Sequence, residues 1–190
     1  APGKLLHIPT VAGADVVAYN LPGNPALKFD ADTIAGIFLG TIKKWNDPKI
    51  AATKPGINLP DKDIVVVHRS DGSGTTYIWT DYLSKISPEW KQKVGTNTSV
   101  NWPTGIGGKR NEGVAGQIKQ TPGALGYVEL IYAVQNKMPY AAVKNSAGNF
   151  VKPTIESITA ALATAEIPDD FRFSITNAPG PNAYPISGAT

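Results

Sequence analysis

Apolar residues along the chain fall into two periods. The stretches GADVVAYNLPG (13–23) and DIVVVH (63–68) are near-continuous apolar runs rich in β-branched residues. That is the pattern of strands buried on both faces, the first ending on a Pro-Gly turn. Elsewhere apolar residues return every three or four positions. DADTIAGIFLG (30–40) predicts a short helix, with Asp30 or Asp32 as cap and Gly40 as stop. NDPKIAAT (46–53) predicts another, with Pro48 in its first turn. TTYIWTDYLSKI (75–86) predicts a helix whose apolar side carries Tyr77, Ile78, Tyr82 and Leu83. SPEWKQKVG (87–95) has Ser87 at the N-cap, Pro88 at the first position and Gly95 at the stop. NEGVAGQIKQTPG (111–123) is a weaker helix because it contains Gly113 and Gly116. ALGYVELIYAVQNK (124–137) reads as a short strand and a helix, TIESITAALATA (154–165) as a helix, and FRFSITNAPGPNAYPIS (171–187) as strand and loop.

Strands alternating with helices predict an α/β architecture with a mixed, mainly parallel sheet. In such sheets ligands gather at the carboxyl ends of strands. One such end carries RSDGSGTT (69–76), between the run DIVVVH and the helix that follows it. The first N–H groups of a helix have no partner within it, and the helix dipole adds positive charge there. An anion at that end meets several aimed donors. Gly72 and Gly74 let backbone approach a ligand closely, and Ser73 and Thr75 add hydroxyls. Arg69 adds a planar guanidinium that grips an oxyanion bidentately. Asp71 either holds Arg69 in place or accepts a proton from a protonated ligand. A Gly/Ser loop before a helix is also what an ordinary capped turn looks like. The loop is not a nucleotide P-loop, because no lysine follows its second glycine.

A second glycine loop, WPTGIGGKRNEGVAG (102–116), offers Lys109 and Arg110 as positive charge and Asn111 as an N-cap, or else is a solvated surface loop. Trp45, Trp79, Trp90 and Trp102 read as packing residues, and Glu129 as a group that could be buried and paired without a catalytic partner.

Composition narrows the chemistry. The chain has 190 residues, 42% hydrophobic and 17% charged, which suits one folded domain or one large lobe rather than a disordered chain. The net charge of +3 comes without a basic stripe, so nucleic-acid binding is not expected. With no cysteine and only two histidines, His7 and His68, neither a metal site, a thiol nucleophile nor a compact histidine triad is expected. No stretch is long and apolar enough to span a bilayer. The opening APGKLLHIPT lacks the charged region and apolar run of a signal peptide.

Five stretches carry a resemblance: IPTVAGADVVAYNLPG, LGTIKKWNDPKIA, INLPDKDIVVVHRSDGSGTTYIWTDYLS, VNWPTGIGGKRNEGVAGQIKQTPGALGYVELIYA and the closing AYPIS. In this order they resemble the periplasmic phosphate-binding proteins of ABC-type phosphate importers, mainly in their second lobe. The resemblance implies one lobe of a type II periplasmic-binding-protein-like fold over residues 1–190. It implies binding of inorganic phosphate without catalysis or cofactor. Arg69 would be the guanidinium ligand, Ser73 would give its hydroxyl and N–H, Gly74 an N–H, and Thr75 an N–H and hydroxyl. Asp71 would position Arg69, with Gly72 in support. The family's other lobe supplies a Thr-Phe turn, a serine at a helix start and an aspartate that accepts the phosphate proton, and no match to those segments is found here. A second chain or copy could supply that lobe. The resemblance also implies a periplasmic or extracytoplasmic location and contact with an importer permease. The alternative expectation is a lobe that serves as a structural or self-associating module.

Overall fold

Two apolar runs become the centre of the molecule. In the computed structural model, which describes residues 9–189, Ala12–Tyr19 forms strand β1 and Val65–Arg69 forms β3. The chain runs from β1 through β2 (Lys28–Phe29), α1 (Ala31–Phe38) and α2 (Pro48–Thr53) to β3. Then come α3 (Gly74–Ile86), α4 (Pro88–Lys93), β4 (Ile106–Gly108), α5 (Arg110–Gln120), β5 (Ala124–Glu129) and α6 (Leu130–Gln135). β6 (Ala142–Lys144), β7 (Phe150–Val151), α7 (Ile155–Leu162) and β8 (Ser187–Ala189) complete it. His7 and the opening segment lie outside the described residues.

The main sheet has the order β4-β3-β5-β1-β8, and a smaller one has β2-β6-β7. The α/β class with a mixed sheet is as the sequence predicts. The parallel part is β4, β3 and β5, while β1 and β8 run antiparallel to their neighbours. β1 and β5 are buried along most of their length because helices cover both faces. On one face Val17, Tyr19, Leu125 and Tyr127 pack with Phe38, Trp79 and Leu83 of α1 and α3. On the other, Val16, Ala18, Val67 and Val128 pack with Val114 and Ile118 of α5.

The helix caps follow local chemistry. Asp30 accepts the Thr33 N–H at 2.9 Å, Asp47 that of Lys49 at 2.9 Å, and Ser87 that of Trp90 at 3.1 Å. Gly40 and Gly95 follow α1 and α4 with φ of 74° and 80°, the left-handed conformation glycine tolerates. Trp45, Trp79 and Trp90 are fully buried, as expected of packing residues.

Three expectations need correction. Tyr77 faces solvent; the buried side of α3 is Thr75, Thr76, Trp79, Tyr82 and Leu83, the set that repeats at helical spacing from the cap. Asn111 does not cap α5: Lys109 holds that place without a side-chain bond, and Asn111 lies inside the first turn. Residues 171–176 form no strand. Ser174 and Thr176 hydroxyls instead bind Asp81 and Lys85 of α3, so side-chain bonds anchor this segment where a ladder was expected. Among the described residues, no helix is long and apolar enough to cross a membrane.

Candidate functional site

β3 and β5 both end at the edge where α3 begins. Arg69 is the last residue of β3, and Ser73 caps α3 by accepting the Thr76 N–H at 3.4 Å. The N–H groups of Gly74 and Thr75 open the helix, where no intrahelical carbonyl reaches them. Gly72 and Gly74 are exposed, and a Cβ built on either meets nothing within 4 Å. Packing within the chain therefore does not require glycine at these two positions. Their effect is to leave bare backbone open to approach.

Arg69 is mostly buried and fixed. Its Nε and Nη2 donate at 2.8 Å each to the two carboxylate oxygens of Asp71, leaving the Nη1 edge of the fork unused by that pair. Asp71 also accepts the Arg110 N–H at 3.0 Å, which ties the second glycine loop to the first. The Arg69 bond, then the Arg110 N–H, hold the Asp71 carboxyl well below the usual carboxylate range. The Arg69 N–H donates to the Tyr127 hydroxyl at 3.2 Å, and that hydroxyl meets Thr76 Oγ1 at 2.7 Å. Tyr127 is itself stacked on Trp79 with centroids 4.9 Å apart.

Two expected donors are already engaged. The Ser73 N–H donates to the Thr98 carbonyl at 2.9 Å, so Ser73 offers its hydroxyl alone. The Thr75 hydroxyl donates to Glu129 Oε1 at 2.9 Å. Asn111 completes this corner: its Nδ2 donates to Thr75 Oγ1 at 3.4 Å, and its Oδ1 accepts the Glu129 N–H at 3.5 Å. Lys109 and Arg110 are exposed, and Arg110 reaches the site through its backbone.

His68 is stacked on Trp102 with centroids 4.7 Å apart, and its Nδ1 donates to the Arg69 carbonyl at 3.0 Å. A carbonyl only accepts, so Nδ1 carries the hydrogen. Burial pushes the His68 pKa down. Among the described residues, no group of three or more His, Asp or Glu side chains is placed to hold a metal ion.

A family model described as a PBP superfamily domain matches residues 2–190. The chain belongs to the PBP superfamily. Curated relatives that match it are phosphate-binding proteins PstS. That of Pasteurella multocida is 50% identical across 98% of this chain and 56% of its own length. That of Xylella fastidiosa (strain Temecula1) is 52% identical across 95% and 51%, and that of Methanocaldococcus jannaschii 47% across 97% and 52%. This PBP-superfamily chain spans about half the length of the curated relatives it matches. Among solved structures, the high-affinity periplasmic phosphate-binding protein PfluDING, bound with phosphate, superposes with a TM-score of 0.76 at 23% identity, over 98% of this chain and 57% of its own. A human phosphate binding apolipoprotein does so with 0.72 at 19%, over 96% and 57%. These likenesses show the fold, a single lobe of a larger PBP.

Sequence reasoning about this PBP-superfamily chain missed Asp15. It is fully buried, and neither of its carboxyl oxygens has a hydrogen-bond partner among the described residues. The available signal was a lone carboxylate inside the apolar run GADVVAY. Tyr127 and Thr98, as partners of the loop, had no signal in sequence.

Proposed function

We propose that the loop from Arg69 to Thr75 binds inorganic phosphate without catalysis, as part of the capture protein of an ABC phosphate importer outside the cytoplasm. Arg69, Ser73, Gly74 and Thr75 are its ligands, Asp71 and Gly72 their support, and the chain is one α/β lobe of that protein. One observation carries the reading: Asp71 grips Arg69 bidentately at the point where α3 opens its free N–H groups. A guanidinium held on one edge, facing a helix start, suits a tetrahedral oxyanion. The likeness to phosphate-binding relatives supports the same ligand.

Phosphate is strongly hydrated, and stripping that water is costly unless many charged bonds replace it. A single lobe leaves the ion partly wet. This chain on its own therefore binds phosphate near millimolar, roughly 4 kcal/mol, and takes sulfate about as well. Calorimetric titration of the anion-stripped chain with phosphate, with Arg69→Ala as control, tests this. Weak binding lost in the variant supports it; no binding, or binding indifferent to Arg69, overturns it.

A second reading rests on one feature. Ile131 and Val134 of α6, just beyond Glu129, are about half exposed. A lobe used as a self-associating or scaffold module would cover them. A mass that rises with concentration while phosphate binding is absent would favour it.

A further inference from the structure

Asp15 on β1 lies directly opposite Glu129 on β5. Residues opposite one another in an antiparallel pair project to the same face, with Cβ atoms about 4.5–5.5 Å apart. Val17 and Tyr127, the next such pair, pack on the α3 side, so both carboxyl groups sit on that side too. Glu129 is the acceptor of the Thr75 hydroxyl hydrogen.

Thr75 has only one hydroxyl hydrogen. While an ionised Glu129 holds it, an anion at the start of α3 cannot use it. Protonation of Glu129 reverses the bond. The carboxylic O–H then donates to Thr75 Oγ1, which still accepts from Asn111, and the Thr75 hydrogen is released toward the helix N-terminus. Two adjacent buried carboxyl groups resist double ionisation, so such a pair keeps one proton to higher pH than a lone carboxyl. Burial first, then the Glu129 charge, push the Asp15 pKa well above the usual carboxylate range, with Arg69 opposing.

We propose that the Asp15–Glu129 pair couples one proton to anion binding at α3. The proton, taken from solvent, turns the Thr75 hydroxyl from Glu129 to the anion. The coupling rests on the phosphate-site reading above. A bound anion beside the pair favours its protonated form. By reciprocity the protonated pair favours the anion, so affinity falls as pH rises through the pair's upper titration step.

The charged and titratable groups around Asp15 are few. Arg69 comes from β3, Glu129 and Tyr127 from β5, and Tyr184 from the turn before β8, its hydroxyl donating to the Asp15 carbonyl at 3.0 Å. Tyr132 of α6 lies beside Glu129. α3 presents the uncharged Thr75 and Thr76, while Arg110 and Glu112 of α5 and Glu156 of α7 are exposed. His68, next to Arg69, titrates separately.

Phosphate changes its own charge near neutrality, so sulfate, a dianion throughout, is the probe. The full chain is titrated calorimetrically with sulfate between about pH 6 and about pH 9, in buffers of low and high ionisation enthalpy. The expected result is net proton uptake on binding and about fivefold weaker affinity at the alkaline end. Asp15→Asn is expected to lose both the uptake and most of that alkaline weakening. Any acid-side gain that survives belongs to His68. Should Asp15→Asn fail to fold, Thr75→Val keeps the backbone donors but not the hydroxyl, and is expected to bind weakly without proton uptake. Sulfate binding without uptake in the native chain, or uptake retained in either variant, overturns the coupling alone when phosphate binding still depends on Arg69. If neither anion binds at any pH, the phosphate-site reading falls and the coupling with it.

Discussion

Arg69 and Asp71 meet edge to edge, two N–H groups on two oxygens at 2.8 Å each. The carboxylate cancels the guanidinium's charge locally while fixing its plane. Anion binding at this loop therefore depends on aimed donors more than on net field. Arg69→Ala removes charge-assisted bonds and is expected to weaken phosphate binding by about 1.5–3 kcal/mol. Asp71→Asn uncovers the positive charge, so its affinity is expected to depend more steeply on ionic strength than that of the native chain. Titrations at low and high salt check both.

The Tyr127 hydroxyl links the backbone of Arg69 to the side chain of Thr76. Tyr127→Phe keeps the stack on Trp79 but leaves two buried polar groups without that partner. The expected loss is about 1–3 kcal/mol of stability, read as an earlier urea midpoint. Phosphate affinity should fall too, because Arg69 loses its backbone anchor.

Gly108 lies where β4 meets α5. A Cβ there would fall 2.7 Å from the Val114 nitrogen and 2.8 Å from the Gly113 carbonyl carbon, both backbone atoms that cannot swing away. Gly108→Ala is expected to cost about 1–3 kcal/mol of stability and to push α5, with Asn111, off the Thr75–Glu129 corner. Thermal unfolding reads the first effect, and phosphate titration the second.

His68 supplies a pH dependence with a definite sign. Its folded pKa is lowered by burial, so the native state resists the proton that the unfolded chain accepts. The stability this contributes is present above the ordinary imidazole pKa and is lost as pH falls through the folded value. His68→Gln is expected to remove that acid-side loss while leaving the stability near neutrality close to native. Urea midpoints between about pH 5 and about pH 8 check it.

The sequence by itself determined what depends on neighbours along the chain. The apolar runs, the helix periods, the caps Asp30, Asp47 and Ser87 and the glycine stops follow from contacts within a few residues, and each is where the pattern places it. The Arg-x-Asp-Gly-Ser-Gly-Thr loop was legible for the same reason, since Arg69 and Asp71 are two positions apart. Tertiary structure alone decided what the loop's groups face. Strand pairing sets Asp15 against Glu129, 114 positions apart (129 less 15). The turn of α3 sends Tyr77 outward and Thr75 inward. Thr98 takes the Ser73 N–H, Glu129 takes the Thr75 hydroxyl, and side-chain bonds to α3 replace the ladder expected near Ser174. Such partners come from distant segments brought together by burial, and hydrogen bonding is settled only once the competing donors and acceptors stand in one place.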